Sequence, residues 1–226
     1  NAFNNTGGAI KKKADTQRDI MLRANVLGSL GLAGHKEIIN EAKKRFKEFL
    51  KGKEINPNIR SIVYGLVVFA DDKEIFNRIK EFYIKEKLQE EKMRFLGALG
   101  ATRNKKLMED LLEFGFSKYV RSQDTPYALS MIGGNEDAGD LAWEFFKKNK
   151  VEFYKRYKEG HVMPNLIKVC CYRFKTLDKI DEIKEFFKKH DAPTARLAIQ
   201  QVLEAIRVNY NFLNYNKDIM KKWQVN

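Results

Sequence analysis

The sequence predicts an all-α protein, a solenoid of stacked antiparallel helix pairs. Three observations lead there. Apolar residues recur at helical spacing along almost the whole chain, and no convincing alternating strand pattern competes with them. Four prolines and fourteen glycines in 226 residues are too few for a turn-rich sheet protein. One unit also recurs: a helix ends in Leu, Gly or Ala, a few polar residues turn the chain, and a second helix opens on charges before its first apolar residue.

The elements follow in order. In "HKEIINEAKKRFKEFL", Ile38, Ile39, Ala42, Phe46, Phe49 and Leu50 form a single stripe at 3.6 spacing. "NPNIRSIVYGLVVFA" opens with Asn56 as N-cap and Pro57 at the first helical position. "DDKEIFNRIKEFYI" places Ile75, Phe76, Ile79, Phe82 and Tyr83 on one face. Residues 122–149 read as a pair of helices. Asp124-Thr125-Pro126 starts the first, since Asp accepts from free helical N–H groups and Pro pre-sets φ. Gly133-Gly134 ends it, glycine entering a left-handed C-terminal cap at little cost. After Pro193, a long helix aligns Ile199, Val202, Leu203, Ile206, Tyr210 and Leu213.

The same turn recurs in "VLGSLGLAGHKEII", "GLVVFADDKEIF", "FLGALGATRNKKLM", "LSMIGGNEDAGDLA" and, more loosely, "VCCYRFKTLDKIDEI". Spacings of roughly 30–40 residues belong to helix-pair arrays, in which a pair alone cannot bury its apolar face. Residues 122–149 are one rung of such an array, and Gly133-Gly134 has neither the preceding strand nor the following Lys-Ser/Thr of a phosphate loop.

Composition bounds the function. The chain carries 43 basic and 30 acidic residues, a net charge of +13, which would favour nucleic acid, an anionic membrane or an acidic peptide. Most Lys alternate with Glu, the pattern of solvated helix faces, so nucleic acid is not the expected partner. The longest apolar stretch, "LVVFA" at 66–70, cannot span a bilayer, and no signal peptide is read; no membrane is expected. Cys170 and Cys171 are adjacent, badly placed for a structural disulfide, and read as free thiols in a reducing, cytoplasmic compartment.

Motifs that carry chemistry are scarce in this sequence. The chain has no HExxH zinc motif, no G-x-S-x-G elbow, no Walker loop and no dinucleotide fingerprint. His35, His161 and His190 share no metal-ligand spacing with each other or with the thiols. His35 follows a helix-ending glycine and reads as a capping or surface residue. Glu90-Glu91 falls at a helix N-terminus, where it offsets the macrodipole. The aromatics of "WEFF", "FYKRY" and "NYNFLNY" read as core, although "EFYKRYK" has the mixture of a groove lining for peptide or RNA.

Four segments taken in order resemble the C-terminal helical domain of the gluzincin zinc aminopeptidases, most closely the puromycin-sensitive type. They are "LRANVLGSLGLAGHKEIINEAKKRFKEFL", "VRSQDTPYALSMIGG", "DLAWEFFKKN" and "FFKKHDAPTARLAIQQVLEAIRVNYNFL". The resemblance implies a HEAT/armadillo-like bowl of helix pairs, residues 15–226 forming one domain behind a poorly ordered lead-in at 1–14. It also implies upstream domains in the same chain that hold the zinc site and bind the substrate amino terminus. This segment itself would have no cofactor, would cover the active-site cavity, and would contact the distal part of a peptide.

For that contact the turn "GATRNKKL" supplies Arg103, Lys105 and Lys106, and "YVRSQDT" supplies Arg121. In the repeat register these fall on neighbouring turns and would form a basic rim able to hold a terminal carboxylate. Lys168 keeps step with the family pattern, whereas Asn165 stands near where the puromycin-sensitive type carries an Arg. The rival reading is a free-standing basic HEAT-like scaffold for protein or nucleic acid; an upstream HExxH would decide between the two.

Overall fold

The computed structural model describes residues 16–70, 73–157 and 159–223. The lead-in expected at 1–14 lies outside them. Every regular element among the described residues is helical. The helices divide into two compact units, one up to Leu111 and one from Leu112.

In the first unit, α1 (Gln17–Leu32) starts with a capping box. The Thr16 hydroxyl accepts from the Asp19 amide at 3.2 Å, and the Asp19 carboxylate accepts from the Thr16 amide at 2.9 Å. Next come α2 (Lys36–Leu50), α3 (Pro57–Phe69), α4 (Lys73–Lys85) and α5 (Gln89–Leu99), and the boundary between the units falls within α6 (Lys105–Phe116). Asn56 caps α3 as its position predicts, accepting from the Asn58 amide at 3.0 Å with Pro57 behind it. The helices alternate between layers. α1, α3 and α5 pack side by side, while α2 packs on α3 and α4 on α5. Aromatic rings tie the layers together: Tyr64 lies 4.9 Å from Phe95, and Phe82 lies 5.7 Å from both Phe49 and Phe95. The periodic stripes become this core, with Ile38, Ala42, Phe46, Phe76, Ile79 and Tyr83 buried. Leu50, the last residue of α2, is exposed.

The second unit holds a 3-10 turn (Ser122–Asp124), α7 (Thr125–Gly133), α8 (Leu141–Lys148), α9 (Lys150–Tyr157), α10 (Val162–Cys171), α11 (Asp178–Lys189), a second 3-10 turn (Pro193–Ala195) and α12 (Arg196–Trp223). α10 packs between α7 and α12, and α8 packs on α7 and α10. The "WEFF" aromatics are core: Trp143 stacks on Phe146 at 5.6 Å and meets Phe186 of α11 edge-on at 5.0 Å. The "NYNFLNY" segment is not. Phe212 and Tyr215 are exposed, because no other described helix covers that end of α12.

Two details of the 122–149 pair differ from expectation. Asp124 makes no side-chain capping bond to α7; its carboxylate takes the Arg121 guanidinium instead. Gly134 is right-handed, at φ −85°, so the pair of glycines does not supply a left-handed cap. The reason for Gly133 is close approach. A Cβ there would lie 2.0 Å from the Val169 carbonyl oxygen of α10, so only glycine lets the two backbones pack. The left-handed glycines sit elsewhere, for example Gly34 at φ +86° between α1 and α2.

Candidate functional site

The turn from α5 to α6 is built by its own side chains. The Thr102 hydroxyl, on a fully buried residue, accepts from the Asn104 amide at 3.2 Å. The Asn104 side chain then accepts from the Lys106 amide at 3.0 Å and so caps α6. This fixes Arg103, Lys105 and Lys106, all exposed, around the N-terminus of one helix. The Arg103 guanidinium lies over the Phe69 ring, 5.7 Å from its centroid, which ties it to the end of α3. Lys105 and Lys106 have no ion-pair partner among the described residues, and the first turn of α6 has no acidic residue. Positive side chains at the positive end of a helix dipole are electrostatically unfavourable by about 0.3–1 kcal/mol each. The turn is therefore a basic feature that helix stability does not explain.

The other two expected residues belong to the second unit. Arg121 grips Asp124 with two bonds, 2.8 Å from Nε and 3.3 Å from Nη2, and Asp124 is buried. Thr125 donates to the Gly115 carbonyl at 2.9 Å, and the Tyr157 hydroxyl donates to the Ser122 carbonyl. The guanidinium thus already orders a tight connection. Lys168 is half-buried on α10, with no ion pair among the described residues. The "EFYKRYK" aromatics supply mostly core: Phe153 and Tyr157 are buried. Tyr154 and Lys155 border a cleft of about 360 Å³ with Met163, Ala192 and Pro193. Tyr154 donates to the His190 carbonyl at 2.6 Å, and its phenol is pushed up to about 12 by burial and by the Asp191 charge.

Two charge networks were not read from the sequence. Glu91, 7% exposed, receives Arg60 of α3 at 2.7 Å and Arg94 of its own helix, while Arg60 also donates to the Ile55 carbonyl. Its place in the first turn of α5 is as expected, but its partners are guanidiniums. In the second unit Glu182 of α11 accepts from Trp143 Nε1 at 2.7 Å, Lys147 at 2.6 Å and Lys179 at 2.7 Å. Burial opposes its charge, but these bonds outweigh that and hold its carboxyl down at about 2. Lys179 reaches on to Asp140 at 2.5 Å. No local motif announces the bonds that cross between helices, because those partners lie 31 to 39 residues apart.

Among the described residues no three His, Cys, Asp or Glu side chains come together as a metal site. His35 stands at the N-cap position of α2, exposed and without a capping bond. Cys170 and Cys171 are buried free thiols, both pushed up by burial. No described helix is long and apolar enough to cross a membrane.

Fold and site together define a helical-repeat domain with a basic turn. Comparison with known proteins places it more narrowly. The sequence model of the ERAP1-like C-terminal domain matches residues 1–208, and the chain belongs to that family. It is 28% identical over 208 residues to Aminopeptidase M1 of Arabidopsis thaliana, covering 89% of this chain and 23% of that protein. It is also 28% identical over 232 residues to Puromycin-sensitive aminopeptidase of Caenorhabditis elegans, covering 97% and 24%. Aminopeptidase 2, mitochondrial, of Saccharomyces cerevisiae is 25% identical over 215 residues, covering 94% and 23%. The chain thus spans about a quarter of the length of these relatives.

Proposed function

We propose that this chain is the non-catalytic, substrate-enclosing C-terminal domain of a zinc-dependent aminopeptidase that removes N-terminal residues from peptides. The observation that carries the reading is the family match over residues 1–208, to a domain whose relatives are aminopeptidases about four times as long. The chain has no HExxH motif, so on this reading the zinc and the nucleophilic water are supplied by preceding domains of the same protein. The helical domain's part is to cover the active-site cavity and to hold the far end of the peptide.

Within that role the basic turn before α6 is the peptide contact. Arg103 presents a planar fork suited to a carboxylate, and Lys105 and Lys106 add point charges. The N-terminal amides of α6 favour the same ligand charge. Arg121 serves chiefly to order its own connection through Asp124, and Lys168 is a secondary contact. The parent enzyme is cytoplasmic on this reading, supported by two buried thiols kept as thiols.

The test is Arg103→Ala with Lys105→Ala and Lys106→Ala in the full-length enzyme. A lost carboxylate grip should raise KM for long peptides about tenfold or more, equivalent to losing one charge-assisted bond. Short aminoacyl reporters should be turned over as before. Equal effects on both substrate classes, or none on either, would remove these residues from the peptide site.

A further inference from the structure

Lys and Glu alternate along the sequence of α2, but in the folded helix they separate. Lys36, Asn40, Lys43, Lys47 and Lys51 follow one another at spacings of four, three, four and four, the last as the C-cap residue. At 3.6 residues per turn they fall within an arc of about 80°, turned away from the buried Ile38, Ala42 and Phe46. All five are exposed. Glu37, Glu41 and Glu48 gather on one flank of that arc. Two of these acids are engaged, Glu41 with Arg45 at 3.1 Å and Glu48 with Lys53 at 2.9 Å. None of the four lysines in the row forms an ion pair with a described side chain.

On α4, by contrast, cations are matched. Lys80 meets Asp110 at 2.7 Å, while Arg78 and Lys85 both approach Glu81, at 3.7 and 4.0 Å. Like charges one turn apart weaken a helix, so helix stability does not account for the α2 row. Its geometry suits an anionic chain. Lysines one turn apart are separated by about 6 Å along the helix, and side chains on one face of an extended peptide repeat every ~6.6 Å. The ~22 Å from Lys36 to Lys51 therefore match about seven extended residues, four of them facing the row.

Other polyanions fit less well. Single-stranded nucleic acid is held by exposed aromatic rings as well as by charge, and no aromatic side chain of the first unit is exposed among the described residues. A duplex carries one charge per ~1.7 Å, far denser than the row, and its breadth would bring it over the acidic flank. A helix that lies on an anionic membrane sinks its apolar face into the lipid, whereas that face of α2 is packed in the core.

We propose that this row docks an extended acidic segment of a partner protein, its Asp and Glu carboxylates opposite Lys36, Lys43, Lys47 and Lys51. The lysines act as point charges, and Asn40 adds an amide donor between the first two. Exposed ion pairs are individually weak, so the complex is transient and sensitive to salt.

The test is fluorescence anisotropy of a labelled glutamate decapeptide titrated with the 226-residue chain. A Kd of about 10–500 µM is expected at low salt, weakening severalfold on moving to physiological ionic strength. Lys43→Glu with Lys47→Glu should weaken binding at least tenfold. Lys184→Glu with Lys188→Glu makes the same change in net charge on the exposed face of α11 and should weaken it less than twofold. A glutamine decapeptide should not bind. Absence of glutamate-peptide binding, or equal losses in the two variants, would overturn the proposal. So would an oligothymidylate of the same length, or vesicles containing anionic lipid, that bind more tightly than the peptide and are released by the Lys43 and Lys47 changes.

Discussion

Replacing Gly133 by alanine sets two known effects against each other. Alanine in a helix is favoured over glycine by about 1 kcal/mol. The gain is smaller at a last helical residue such as this one. Against that, the new Cβ would stand 2.0 Å from the Val169 carbonyl oxygen and 2.9 Å from its carbon. Carbon and carbonyl oxygen ordinarily meet at about 3.3 Å, so α7 and α10 must separate by roughly 1 Å. The obstacle is backbone and cannot rotate away. Overpacking of this kind costs about 1–3 kcal/mol, and the parting of α7 from α10 adds lost contact along both helices. The expected net is a loss of about 1–3 kcal/mol. Gly65 is the control: a Cβ there lies 4.0 Å from Ala101, an ordinary contact inside α3. Gly65→Ala should therefore stabilise by about 0.5–1 kcal/mol. Urea unfolding followed by far-ultraviolet circular dichroism reads both. With slopes of about 1–3 kcal/mol per molar, Gly133→Ala should lower its unit's midpoint by roughly 1 M. A Gly133→Ala midpoint at or above that of the parent protein would refute the close-packing argument.

Two further predictions concern the second unit. Glu182 is held at about 2 against 4.5 in the unfolded chain, so its contribution is complete above pH 4.5 and is lost as pH falls toward 2. Solvent screens part of that contribution, so Glu182→Gln should cost about 1–2 kcal/mol near pH 6, and the difference from the parent protein should close on acidification; a gap independent of pH would mean the carboxylate is not what matters. Cys170 and Cys171 should resist alkylation in the native protein and both react once it is unfolded, as intact-mass spectrometry would show. Rapid native modification would contradict their burial.

How far the sequence carries can be judged from particular residues. Helical periodicity found the stripes of α2 and α4, because core positions in a layered helix array repeat every turn. Asn56 and Pro57 set the start of α3 from local chemistry alone. Gly133 misled, since a glycine ending a helix is read first as a left-handed cap, and the approach of α10 from further along the chain leaves no local trace. Asp124 misled for a different reason: Arg121, three residues before it, takes its carboxylate in place of the helix amides. The exposed end of α12 was read as core because periodicity registers an apolar face without saying what covers it. The basic turn before α6 was legible as composition, and the structure adds the Thr102–Asn104 scaffold that holds it.

The central claim is that this chain assists zinc-dependent peptide hydrolysis without performing it. Metal content and aminoacyl-reporter hydrolysis, measured side by side on the 226-residue chain and on the full-length protein, test it most directly. The account predicts about one zinc and chelator-sensitive hydrolysis for the full-length protein, and neither for the chain alone. Stoichiometric zinc with chelator-sensitive activity in the purified chain, or a full-length protein that neither binds zinc nor hydrolyses the reporter, would contradict it.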